Sequence, residues 1–167
     1  PDGSIKNKYW ANLWQVYGLG NIGNLQGMVF ENWDIVHEIP KEAELIAYGL
    51  DWGFSSDPTG LVAGYKWNKD IILHELIYDT NLTNSKLVEK MKALNVDEYV
   101  DIIADSSDPK SIQDLSDLGF PNIYGARKGP DSISYGISKM QEYKIWITST
   151  SSNAIKEFRA YKWDTDI

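Results

Sequence analysis

The chain has 167 residues, 43% hydrophobic and 13% aromatic, which suffices for one globular core and excludes disorder. It has no Cys and two His, so disulfide scaffolds, thiol catalysis, thiolate metal sites and His-rich zinc sites are excluded. A net charge of −8 argues against a nonspecific nucleic-acid binder, and no apolar run reaches the length of a membrane span.

The chain starts at Pro1 rather than Met, shows no basic-then-apolar leader, and ends on Asp166-Ile167; the expectation is a piece of something longer. Residues 1–42 carry Tyr9, Trp10, Trp14, Tyr17 and Trp33 among many Gly and Asn, with little periodicity. They are expected to form an arm or linker that packs on a neighbour, with a short helix over 8–17, where Trp10, Leu13, Trp14 and Tyr17 fall at helical spacing. Gly18-Leu19-Gly20-Asn21-Ile22-Gly23 fits Gly-x-Gly-x-x-Gly, but no strand leads into it and no helix with a later ribose-binding acid follows. It is a linker, not a dinucleotide site.

Residues 43–167 read as one α/β domain. Leu45–Asp51 is a strand, and Asp57-Pro58-Thr59-Gly60 supplies a turn. Leu61, Ala63, Tyr65 and Trp67 then alternate, and Asn68-Lys69-Asp70 turns the chain into a strand over Ile71–Tyr78. Three antiparallel strands follow from those short connections. Leu87, Val88, Met91 and Leu94 share one face of a helix over Thr83–Asn95. Val100–Asp105 is a short strand ending in an acid. Asp108 is the N-cap of the next helix, Pro109 its first residue and Gly119 its terminator, with Ile112, Leu115 and Leu118 on its buried face. Asn122–Tyr124 is a strand; Ile133, Ile137 and Met140 mark a helix; Ile145–Ile147 is the last strand; Ile155, Phe158 and Tyr161 mark the last helix. Three hairpin-linked strands followed by βα units predict a mixed sheet with helices on both faces.

Asp51 and Asp105 each end an apolar strand, followed by Trp52-Gly53-Phe54 and by Ser106-Ser107-Asp108. Two carboxylates on neighbouring strands repel unless a cation sits between them. Hard oxygen ligands without His or Cys select Mg²⁺ or Mn²⁺ over zinc. Asp at a strand end is more often a turn residue or a cap, and spacing alone does not separate the two readings. The charge is also uneven: seven basic residues stand against three acidic ones between Gly125 and Trp163, and the rest of the chain is strongly acidic. Only this C-terminal third has the sign a phosphate backbone attracts. Lys110, Arg127 and Lys128 are its candidate DNA contacts; the Trp and Tyr residues are read as core.

Tyr48-Gly49-Leu50-Asp51-Trp52-Gly53-Phe54 with Asp57-Pro58-Thr59 resembles the opening of the nuclease domain of tailed-phage terminase large subunits. Ala104-Asp105-Ser106-Ser107-Asp108-Pro109-Lys110-Ser111-Ile112 resembles the second acidic motif of that family, and Ala126-Arg127-Lys128-Gly129-Pro130-Asp131-Ser132-Ile133 its basic motif. Glu157–Trp163 resembles the approach to its final motif, and the aromatic, Gly-rich start its junction with an ATPase domain. The resemblance implies an RNase H-like fold and metal-dependent cleavage of concatemeric double-stranded DNA during packaging. Asp51 and Asp105 take the places of the first two metal-binding, catalytic acids. In that scheme Asp51 bridges two ions, Asp105 holds one of them, and Lys128 positions a phosphate. Implied partners are DNA, an ATPase domain of the same chain, and possible contacts with the small terminase subunit and portal protein, without a membrane. The implied place of action is the host cytoplasm during phage assembly, not the mature virion. The third acid has no match here, since Asp164 and Asp166 belong to the preceding segment; it is expected beyond Ile167, leaving the 167-residue piece a weak metal binder with little activity.

The alternatives are another RNase H-like nuclease of the resolvase type, a non-catalytic DNA- or motor-docking module of the same fold, and a sugar-kinase-like ATPase using Asp51-Trp52-Gly53 as a phosphate loop.

Overall fold

The computed structural model describes residues 27–163. Among these, seven strands form one sheet: β1 (Trp33–Val36), β2 (Glu44–Asp51), β3 (Thr59–Trp67), β4 (Asp70–Asp79), β5 (Ile102–Ala104), β6 (Ile123–Gly125) and β7 (Ile145–Thr148). Four helices accompany them: α1 (Asn84–Ala93), α2 (Pro109–Asp117), α3 (Ser132–Gln141) and α4 (Ser152–Ala160). The order across the sheet is β1-β7-β4-β3-β2-β5-β6. β3 runs against β2 and β4, and the other adjacent pairs are parallel, so six strands point one way.

Local chemistry accounts for most boundaries. Asn68, at φ 55°, makes the two-residue turn that pairs Trp67 with Asp70. Thr83 caps α1 by accepting from the Lys86 N–H, and Asp108 caps α2 by accepting from Ser111 at 3.0 Å, with Pro109 in the first helical position. Gly119, at φ 119°, takes the left-handed place after α2. The turn into β3 lies earlier than Asp57–Gly60: the Asp57 N–H donates to the Phe54 carbonyl, and Thr59 and Gly60 are already in the strand. Buried Thr59 suits a pleated strand, and its hydroxyl accepts from the Gly53 N–H.

Alternation along the central strands separates two cores. Tyr48, Leu50, Leu61, Ala63 and Ile102 face α1 and α2, where Leu87, Val88, Met91 and Leu115 are buried. On the opposite face Trp33, Leu73, Ile145 and Ile147 pack beneath Ile137 of α3 and Ile155 of α4. Among the described residues that second layer covers the β1-β7-β4 half alone. Gly49, Ile103 and Tyr124, on the β2-β5-β6 half, remain exposed. Leu118, expected on a buried helix face, and Leu94 and Ile133, expected within helices, lie at helix margins and are exposed.

The sequence reading places no strand before Glu44, yet Trp33–Val36 adds β1 to the sheet edge, parallel to β7. Four residues of mixed polarity carry no readable period, and the partner lies more than a hundred residues away. Phe30 stacks on Phe158 at 5.0 Å between ring centroids, and Trp33 meets Phe158 edge-on at 5.7 Å. These rings anchor the segment to α4 of its own domain. The helix expected over 8–17 lies outside the described residues.

A polar chain ties α4 to β4. Glu75 accepts from the Ala154 N–H at 2.7 Å and from Asn153 at 2.9 Å, satisfying donors at the start of α4 that Ser151 leaves free. Ser151 instead accepts from the Glu75 N–H and is hydrogen-bonded to Thr148, where either hydroxyl can donate, and the Thr148 hydroxyl meets Nδ1 of His74 at 2.8 Å. Burial pushes the His74 pKa below its ordinary value, against a smaller opposing effect of Glu75. The unfolded chain therefore takes up the proton first as pH falls. Stability is fully present above the ordinary His range and is lost as pH drops through the lowered value. Urea midpoints measured between about pH 7 and pH 5 should fall in the wild type and fall less in His74→Gln.

Candidate active site

Alternation on β2 buries Tyr48 and Leu50 and turns Gly49 and Asp51 to the open face. β2 and β5 pair in parallel register, Tyr48 with Ile102 and Leu50 with Ala104, and the Asp105 N–H extends that ladder by donating to the Leu50 carbonyl at 2.9 Å. The next step of the register sets Asp51 opposite Asp105. Both acids thus stand at the carboxyl ends of adjacent parallel strands, where open α/β sheets gather ligands.

The loops that follow are bound to each other. Trp52 is buried, and its indole N–H donates to the Asp105 carbonyl at 2.8 Å. Gly53 runs so close to the backbone of Asp57, Pro58 and Thr59 that a Cβ would overlap it. Its N–H donates to Oγ1 of Thr59 at 3.0 Å. On the other side Gly125 lets β6 approach the loop after Asp105, a Cβ there lying 3.2 Å from Cβ of Ser106.

Asp105 is held from several directions. The Ser107 N–H donates to Oδ1 at 3.1 Å and its hydroxyl to Oδ2 at 3.0 Å, while the Lys128 ammonium pairs with Oδ1. Lys128, reinforced by Ser107, holds the carboxyl below its ordinary range, so Asp105 stays ionised well into mild acid. Asp51 is exposed beside it. Two carboxylates on one face, one of them held ionised, are a donor set that fits a hard divalent cation.

Of the basic candidates, the fold brings Lys128 onto Asp105. Arg127 is exposed on the same loop after β6, and Lys110 is exposed in the first turn of α2. Asp108 is engaged as the α2 cap, with its carboxyl held low chiefly by Ser111. Among the described residues no group of three or more His, Asp or Glu forms a metal cluster. Asp164 and Asp166 lie outside the described residues. A cavity of about 270 Å³, lined by Phe30, Met140, Ile145 and Trp163 among others, opens at the amino ends of β1 and β7, away from the acids. The Lys128–Asp105 pair and the Trp52–Asp105 bond escaped sequence reading, because each joins loops far apart in the chain and leaves no local pattern.

The family model for the terminase RNase H-like domain matches residues 51–167. The chain belongs to this family. It is similar to the terminase large subunit of Bacillus phage SPP1, 33% identical over 149 residues, covering 82% of this chain and 35% of that protein. The chain thus spans about a third of the length of this curated relative. Among solved structures, the SPP1 large terminase nuclease domain with bound Mn matches with a TM-score of 0.71 and 28% identity, covering 83% of this chain and 84% of that one. The P22 large terminase nuclease domain shares the fold at a TM-score of 0.59 and 16% identity, over 83% and 81% of the two chains. A large terminase from a thermophilic bacteriophage does so at 0.64 and 20%, over 98% of this chain and 46% of that one. The expected RNase H-like mixed sheet is the fold of this terminase nuclease domain.

Proposed function

We propose that this terminase nuclease domain is an endonuclease that hydrolyses phosphodiester bonds of concatemeric double-stranded DNA, using Mg²⁺ or Mn²⁺ held between Asp51 and Asp105. The observation that carries this reading is the placement of the two acids side by side on the uncovered face of the sheet. Support comes from the SPP1 nuclease domain, whose structure contains Mn. When bound, a pair of divalent ions would supply an activated water and steady the leaving 3′ oxygen.

The chain's own residues have simpler tasks. Asp51 and Asp105 offer side-chain oxygens, Ser107 fixes the Asp105 carboxylate, and Trp52 fixes the strand end that bears it. Arg127, Lys128 and Lys110 attract and orient the phosphate backbone by charge. We assign residues 43–167 to the nuclease unit, joined at its sheet edge by β1 of the preceding segment, and to the rest of residues 1–42 the junction with an ATPase domain of the parent chain. A third carboxylate would come from the parent chain after Ile167. The small terminase subunit and portal protein are the partners this role implies, and the host cytoplasm during assembly is its place.

The test is cleavage of supercoiled plasmid in Mn²⁺ by a longer terminase chain carrying this domain. The reading predicts nicked and linear products, and little cleavage by the 167-residue chain alone. No cleavage by the longer chain would favour a non-catalytic DNA- or motor-docking module. For the DNA surface, Arg127→Ala with Lys128→Ala should weaken binding to all sequences alike. It should also reduce the slope of log K against log salt by about two, one unit per phosphate contact. Unchanged affinity and slope would put the DNA path elsewhere.

A further inference from the structure

The loop after β6 leaves the sheet bonded to β5, the Ala126 N–H donating to the Ala104 carbonyl at 2.7 Å. That bond carries Lys128 to the carboxylate one residue further along β5. Ser107 already donates to both Asp105 oxygens, and the ammonium adds a third donor, on Oδ1. An ammonium is a compact point charge with three donors and no acceptor. A divalent cation that takes the same oxygen meets a like charge within contact distance. The two cannot share Oδ1 without repulsion. Lys128 is nevertheless free to leave, because its side chain is 60% exposed against 29% for Asp105. An exposed ion pair is weakly held, and the ammonium regains water on departure.

We propose that Lys128 is the exchangeable counter-cation of Asp105, giving up the carboxylate when a divalent cation binds and turning its freed charge to a substrate phosphate. This rests on the reading of Asp51 and Asp105 as metal ligands. It adds that metal and lysine compete, so that the chain sets its own metal affinity through one side chain. A lysine acting only on DNA would leave metal affinity unmoved. One that merely positions the carboxylate for metal would weaken binding when removed.

The experiment is stepwise addition of Mn²⁺ to the isotope-labelled 167-residue chain, following paramagnetic broadening of the Asp105, Ser106 and Ser107 amides. This detects weak binding and shows in the same spectrum that each variant is folded. Lys128→Ala should lower the Mn²⁺ concentration at half-broadening by about two- to five-fold, the range set by an exposed ion pair. Lys128→Arg, which keeps the charge, should behave as the wild type. An unchanged or higher midpoint in Lys128→Ala overturns the competition while leaving the metal site standing. Failure of these amides to broaden in wild type and Lys128→Ala alike overturns the metal reading, and the inference with it.

Discussion

Asp51→Asn and Asp105→Asn, each placed in a terminase chain that extends past this domain, should lose Mn²⁺-dependent plasmid cleavage while keeping the fold. Changes in groups that merely support a metal ligand reduce affinity or activity by about 10- to 100-fold, and removal of a ligand should cost at least the upper figure. The two substitutions should differ in their side effects. Asp51 is exposed at the end of β2, and neutralising it relieves repulsion between neighbouring carboxylates. Asp105 also accepts from Ser107 and pairs with Lys128, so its Asn variant loses stabilising contacts as well as metal. Stability measured without metal should therefore be equal or higher for Asp51→Asn and lower for Asp105→Asn. Cleavage by either variant at the wild-type rate would remove that residue from the site.

Gly53→Ala should be nearly as damaging, through geometry alone. The added methyl would overlap the backbone of Asp57, Pro58 and Thr59, atoms that cannot turn aside as a flexible side chain would. The loop must open, and the Gly53 N–H loses the Thr59 hydroxyl. Overpacking of this kind costs about 1–3 kcal/mol. The same opening shifts Asp51 and Trp52, and a misplacement of about 1 Å can cost about a hundred-fold in rate. Gly49→Ala is the internal comparison. It lies on the same strand two residues before Asp51, where an added Cβ meets nothing within 4 Å. Urea unfolding should show Gly53→Ala clearly destabilised and Gly49→Ala close to wild type. Equal stability of the two would mean that the tight loop does not hold the acid in place.

Much of this arrangement could be read before any coordinates, for reasons that differ by element. α2 was legible because Asp108, Pro109 and Gly119 each answer a separate demand of a helix end. The β2-β3-β4 meander was legible from alternation and from a two-residue turn that needs Asn68 in the left-handed region. The adjacency of the strands bearing Asp51 and Asp105 was legible only through the resemblance to the terminase nuclease domain, because the strand pattern alone does not say which strands are neighbours. β1 was not legible, because a four-residue edge strand draws its stability from β7 and from the Phe30, Trp33 and Phe158 rings rather than from its own pattern. The contacts that tune Asp105 were hidden for a similar reason. Lys128 stands 23 residues away on another loop, and Trp52 reaches Asp105 through a backbone carbonyl, an interaction that no residue type announces.

The partly uncovered sheet has a further consequence for access. Among the described residues no helix lies over Gly49, Ile103 and Tyr124 beside both acids, and in the proposed function this open half is where a duplex would approach. On that reading the charge would suit the approach: the acids sit at the strand ends, Lys128 pairs with Asp105, and Arg127 and Lys110 are exposed on the loop after β6 and the start of α2. Bound cations would offset the acidic charge at the centre while the basic flank meets phosphate.

Anomalous diffraction from crystals of a longer chain soaked in Mn²⁺ tests the central claim most directly. The account predicts a peak about 2.1 Å from carboxylate oxygens of both Asp51 and Asp105, at the distance hard cations keep from oxygen ligands. A saturating soak that shows Mn²⁺ only elsewhere on the domain would contradict it.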